Sequence, residues 1–181
     1  GIEKEDQRLL RKNFKDTAFW LPHLQTDEKG QASVQVKLPE NLTTWRATAI
    51  AQTNNGQVGQ TIQTIISSKE LLVRLATPRF FRERDRVVLK ALIQNETDQT
   101  QSVDVSLEVE GLELTNPQDA QNRTLSIAAH GVSSFDFTVK ASKIGKAKIK
   151  LLAKSAALSD GVELPFNVLP HGIEDHLYQQ G

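Results

Sequence analysis

The chain has 181 residues, and its 22 Lys and Arg are balanced by 22 Asp and Glu, leaving no net charge at pH 7. Without a basic excess it lacks the means by which nucleic-acid and acidic-membrane binders neutralise phosphates. Cysteine is absent, which excludes disulfide staples, thiolate zinc sites and a cysteine nucleophile within these residues.

Gly1 opens a charged stretch rather than a signal peptide, and no run of apolar residues is long enough to span a bilayer. Methionine is missing even at position 1, so the sequence reads as a piece of something longer. Residues 1–16 carry Ile2, Leu9, Leu10 and Phe14 at loose helical spacing. They predict either a short N-terminal helix or a flexible lead-in.

From Thr26 onward the period changes to two. Ala32, Val34, Val36 and Leu38 alternate with Ser33, Gln35 and Lys37, which predicts a strand with one wet face between turn material at 27–30 and 39–41. A second strand is expected from about Thr44 to Thr53, with Trp45, Ala47, Ala49 and Ala51 on one face. Asn54-Asn55-Gly56 closes a hairpin, and a third strand returns from about Val58 to Ser67. Further strands are predicted at about 71–76, 86–94, 103–110, 121–127, 132–140, 145–153 and 162–168, separated by turns at 95–98, 116–117, 130–131 and 159–161. About seven strands in roughly 100 residues make an antiparallel β-sandwich. The expected domains are an incomplete unit over 1–67, a complete sandwich over 68–170 and a linker over 171–181. Three strands with one apolar face need something to pack on.

Motifs that carry chemistry are scarce. His23, His130, His171 and His176 never stand four residues apart on a helix, and HExxH does not occur. His171 and His176 lie near Glu174 and Asp175, but a solvated linker outweighs a metal site there. Ser67-Ser68 and Ser133-Ser134 lack a nucleophile-elbow context, and Asn55–Gly59 lacks the Lys-Ser/Thr of a phosphate loop. Glu83 and Asp85 read as solvated loop carboxylates, Asp85 as a turn residue before a strand. Phe19, Trp20, Trp45, Phe80 and Phe81 offer either a stacking platform or core, and the alternating periodicity favours core. Asn41, Asn95 and Asn122 each head a glycosylation sequon. No catalytic residue, metal ligand or cofactor is expected, and an enzyme is the least favoured class.

One set of motifs is more specific. Thr17-Ala18-Phe19-Trp20-Leu21-Pro22, the turn Thr26–Gly30 and the run Leu38-Pro39-Glu40-Asn41-Leu42-Thr43-Thr44-Trp45-Arg46-Ala47 resemble the α2-macroglobulin family, in the form of its bacterial branch. Pro78–Asp85, followed by an alternating strand and Asn95, is similar to that family's next domain. The resemblance covers about residues 14–170. It implies fibronectin-like antiparallel sandwiches, with 1–67 as the C-terminal part of the domain that carries a protease bait and 68–170 as the whole next domain. It also implies a parent that traps proteases by bait cleavage and rearrangement, in the periplasm or outside the cell, with no nucleic-acid binding and no direct membrane insertion expected of this segment. A lipoprotein anchor on the parent fits the same picture. The family's Cys-Gly-Glu-Gln thioester has no counterpart here, so the expected site residues are structural: Thr44, Trp45 and Arg46 on the Thr-Trp-Arg motif, Trp20 and Pro22 on the entry segment. The indole of Trp45 is expected in the core with Arg46 pointing away, and Trp20 and Pro22 under the hairpin. Glu40-Asn41 replaces the family's usual Asp-Ser, a departure expected to affect only a turn. Target proteases and neighbouring domains are the implied partners. The competing readings are an adhesion or carbohydrate-binding sandwich and a plain structural spacer of a large envelope protein.

Overall fold

Strict alternation of apolar and polar residues leaves a backbone one way to bury its apolar half, as paired strands. A computed structural model describes residues 2–172, and strands dominate it. Contacts divide these residues into two units, one of 11–69 and one of 2–10 together with 70–172.

In the larger unit, β4 (Leu71–Ala76), β6 (Arg86–Asn95), β10 (Val132–Lys140) and β8 (Glu113–Leu114) form one antiparallel sheet in the order β4-β6-β10-β8. The other sheet runs β1 (Leu10–Arg11), β12 (Ser159–Leu169), β11 (Gly145–Lys154), β7 (Gln101–Glu110) and β9 (Arg123–Ile127), with β5 (Phe81–Arg82) parallel to the end of β12. The inward rows are those that alternation marks: Leu89, Ala91 and Ile93 on β6, Val103, Val105 and Leu107 on β7, Phe137 and Val139 on β10, all buried. Phe81 meets Phe166 edge to face at 5.1 Å, the geometry aromatic quadrupoles prefer. The two sheets are also joined by a polar tie, since the fully buried Asp160 of β12 accepts the Val73 amide of β4 at 2.8 Å. This is a fibronectin-like antiparallel β-sandwich, and its long strands lie within a residue or two of their expected bounds except β12, which already begins at Ser159 where a turn over 159–161 was expected. The turn falls at 155–158, where the Ser155 amide donates to the Leu158 carbonyl at 2.8 Å and the Ser155 hydroxyl accepts the Leu158 amide at 3.2 Å.

The smaller unit carries the hairpin of β2 (Thr44–Gln52) and β3 (Val58–Ile66), in register from Thr44↔Ile66 to Gln52↔Val58. Gly56 closes it at φ +80°, with the Thr53 hydroxyl accepting the Gln57 amide at 3.1 Å. The Asn55–Gly59 stretch is thus a turn between strands.

Two further expectations need correction. Residues 31–39 pair with no strand among the described residues, although Asp27 builds the predicted turn by accepting the Lys29 and Gln31 amides at 2.9 Å each. Alternation equips that segment for a sheet, but a ladder also needs a partner edge. The N-terminal residues form no α-helix either. Asp6–Leu9 makes a single 3-10 turn that runs straight into β1, because Ile2 and Leu10 are drawn onto the sandwich rather than onto each other's helical face.

Candidate functional site

The run Leu38–Arg46 organises the smaller unit around its own entry segment. The Glu40 carboxylate accepts the amides of Lys12 at 2.7 Å and Asn13 at 2.8 Å, and the Glu40 amide donates back to the Asn13 carbonyl at 2.8 Å. Arg11 donates to the Glu40 carbonyl at 3.3 Å, and Asn41 Oδ1 accepts the Lys15 amide at 3.0 Å. The Asn13 and Lys12 amides, in that order, hold the Glu40 carboxyl below the usual glutamate range, with Arg11 and Lys37 assisting against slight desolvation. Glu40-Asn41 therefore does more than shape a turn: it staples residues 11–15 to the start of β2. The correction has a simple origin, since a side chain's reach of 26 to 28 residues along the chain leaves no local signal.

Below the staple lies a groove of about 510 Å³, lined among others by Phe19, Leu38, Asn41, Trp45, Arg46 and Ile65. Trp45 stands opposite Ile65 in the hairpin and is half-buried, its indole Nε1 sealed from solvent without an acceptor among the described residues. Arg46, on the other face, is exposed, as is Thr44. Trp20 is 84% exposed and Pro22 is exposed, so neither lies under the hairpin as expected. Their stretch, 17–26, has no strand to dock on, and burial of an aromatic follows packing partners rather than hydropathy. The core reading of the aromatics holds fully for Phe81 and partly for Trp45; Phe19, Trp20 and Phe80 face solvent.

Among the described residues no group of three His, Asp or Glu side chains could hold a metal ion. His130 pairs with Asp98 at 2.8 Å on the surface, while His176, Glu174 and Asp175 lie outside the described residues. Asp85 caps its own turn by accepting the Arg82 amide at 2.7 Å, the role read from the sequence. Asn95 is fully buried and its Nδ2 donates to the carbonyls of Gln99, Ile127 and Ala128 at 2.7, 3.2 and 2.9 Å. That sequon nitrogen is committed to the fold and cannot carry a glycan in it.

Residues 17–107, which take in the groove, the hairpin and the first strands of the sandwich, match the Alpha-2-macroglobulin family. The chain belongs to that family. An α2-macroglobulin homolog from Nostoc sp. is 30% identical over 94% of this chain, and an α2-macroglobulin from Thermotoga maritima 29% identical over 94%. The chain spans about a tenth of the length of these relatives, 9% and 11% respectively. Two solved structures of the Escherichia coli protein superpose with a TM-score of 0.70: the trypsin-activated form, 24% identical over 80% of this chain and 10% of that one, and the form activated by porcine elastase, 21% identical over 93% and 16%. These likenesses establish the fold as that of macroglobulin-like sandwiches.

Proposed function

We propose that the chain is a non-catalytic scaffold segment of a broad-spectrum, protease-trapping α2-macroglobulin. The observation that carries this is the family match itself, because it runs without a break from the entry segment of one unit into the sandwich of the next. In this reading residues 1–67 are the C-terminal part of the bait-bearing domain, 68–170 the complete macroglobulin-like domain after it, and 171–181 the link onward. Thr44, Trp45 and Arg46 are structural residues of the first, and Trp20 and Pro22 belong to its entry segment. The partners are target proteases, met through the parent, and neighbouring domains of the same polypeptide. The parent works in the periplasm or outside the cell, with lipid anchorage as part of the same proposal. No helix among the described residues is long and apolar enough to cross a membrane.

Sandwiches suit such a machine physically. Each buries its own core while surfaces between domains are smaller and more polar, so cleavage of a bait can shift domains as rigid bodies. The test is to challenge the parent with unrelated proteases, map cuts by mass spectrometry and follow shape by small-angle scattering. One early cut N-terminal to this segment, then compaction and protease retention, is the expected result. Scattered cuts without a change of shape would reduce the segment to a spacer.

A second reading draws on the exposed run Phe19, Trp20, Leu21, which are 46, 84 and 46% exposed. An adhesion or carbohydrate-binding face would present such aromatics. Glycans that quench the emission of Trp20 at millimolar concentration would favour it.

A further inference from the structure

The outward row of β11 is Lys146, Lys148, Lys150, Leu152 and Lys154. One leucine interrupts the lysines. Its register partners are Gly161 on β12 and Ser106 on β7, so this apolar side chain stands between two small residues and leaves a notch on either flank. Yet Leu152 is only 2% exposed. The chain's own N-terminal segment covers it: Ile2 and Leu10 are buried against Leu152, and Leu9 packs beside them. Leu10 fills the notch over Gly161 closely, since a Cβ on that glycine would lie 2.7 Å from Leu10 Cδ2 and 3.1 Å from Leu152 Cδ1. Four residues before Leu10, the Asp6 carboxylate meets Lys154 Nζ at 2.8 Å. Leu10 itself belongs to β1, which lies on the outer edge of β12.

These contacts make a built seat with four parts: an apolar floor at Leu152, a side-chain-free notch at Gly161, a cation at Lys154 and a strand edge. What occupies it is slight, one 3-10 turn and a two-residue strand, with Glu3, Lys4, Glu5 and Arg8 in water. Few buried apolar contacts and a short ladder are the marks of a segment that opens locally while the rest of the fold stays closed. We propose that this face of the sandwich is a strand-addition site for peptides that enter, as residues 2–10 do, through a single turn bearing an acidic residue and pass into a short strand whose leucine stands four positions later. Residues 2–10 occupy it in cis as a strap, and their departure opens it to a second segment of the same chemistry. Edge addition supplies backbone pairing, while the notch and the lysine supply selectivity, as in other β-augmentation sites. Any cut or pull on the strap then uncovers a site on the sandwich without unfolding it.

The test uses the 181-residue chain carrying Asp6→Lys and Leu10→Asp together, read by amide hydrogen exchange. Amides of residues 2–10 and the β12 amides at that edge should exchange roughly tenfold or more faster, with β6 and β10 unchanged. A synthetic peptide of residues 2–12, added at millimolar concentration, should restore slow exchange to β12, and the same peptide carrying Leu10→Asp should not. Lys154→Glu in the double variant should weaken the first peptide and favour one with Asp6→Lys. Faster exchange throughout both sheets would make the segment an integral part of the sandwich and overturn the proposal. Local opening that no peptide reverses would overturn it equally.

Discussion

Asn95 shows how one side chain can hold a corner of a sandwich. Its amide reaches three carbonyls across two turns, and its Oδ1 accepts the Thr97 amide at 3.0 Å and the Thr97 hydroxyl at 2.8 Å. With Asn95 fully buried, truncation leaves the Ile127 carbonyl without its partner away from water and takes the tie from the partly wet groups of Thr97, Gln99 and Ala128. Asn95→Ala should therefore cost about 2–4 kcal/mol, lowering the melting midpoint of the sandwich by roughly 10 °C or more; thermal unfolding followed on β10 amides checks it. Glu40 acts at the surface and through charge. Its depressed pKa means that its contribution is complete above the ordinary glutamate value of about 4.3 and is lost as pH falls through the lower folded value. The amide shifts of Lys12 and Asn13 should accordingly titrate together with an inflection below about 4.3, and Glu40→Ala should abolish that step. An inflection at the ordinary value would mean the staple is open in solution.

On the scale of elements, the ladder across β7, β11 and β12 sets charge against burial. Lys150 has a side chain only 8% exposed, yet it lies 3.3 Å from Glu108 and bonds Glu110. The bond from Glu110 raises its pKa, desolvation opposes, and Glu108 adds to the rise. The stabilisation is thus whole below the ordinary lysine value and lost as pH climbs through the raised one. Glu108 and Glu110 are partly wet, so Lys150→Met leaves two carboxylates that water can serve and should cost less than about 1 kcal/mol. The double change Glu108→Leu, Glu110→Leu leaves a buried cation instead and should cost about 3 kcal/mol, a contrast that denaturation midpoints resolve. The same elements show what could be read in advance. The strands at 101–110, 132–140 and 145–154 announce themselves because each holds a run of at least six residues, 103–109, 134–140 and 146–151, in which apolar and polar side chains alternate. Phe81–Arg82, Glu113–Leu114 and Leu10–Arg11 are too short to have a period and exist only because a sheet edge lies beside them. The Thr-Trp-Arg motif was legible as a family signature, but the Glu40 staple was not, since its partners lie 27 and 28 residues away. Trp20 misled for the opposite reason, a residue apolar enough for a core but placed in a stretch with no strand to receive it.

Across the whole chain the two units differ in how well they bury what they carry. The sandwich hides its apolar rows, while the 11–69 unit leaves Ile50, Val58, Ile62, Ile65 and Ile66 at 70, 67, 46, 47 and 73% exposure on a hairpin whose outer edges are unpaired among the described residues. Exposed apolar strands with open edges template pairing between copies, and burial of such surface contributes about 25 cal/mol per Å². The 181-residue chain should therefore self-associate as its concentration rises, through this hairpin and not through the sandwich. Sedimentation velocity across a concentration series gives the direct reading. Ile50→Thr with Ile66→Thr keeps the β propensity of both strands while removing apolar area, so it should shift association to higher concentration and leave the exchange of β6 and β10 amides unchanged. Association that persists undiminished in this variant would place the contact elsewhere. A chain that stays monomeric at every concentration would mean that the hairpin's apolar face is already covered in solution.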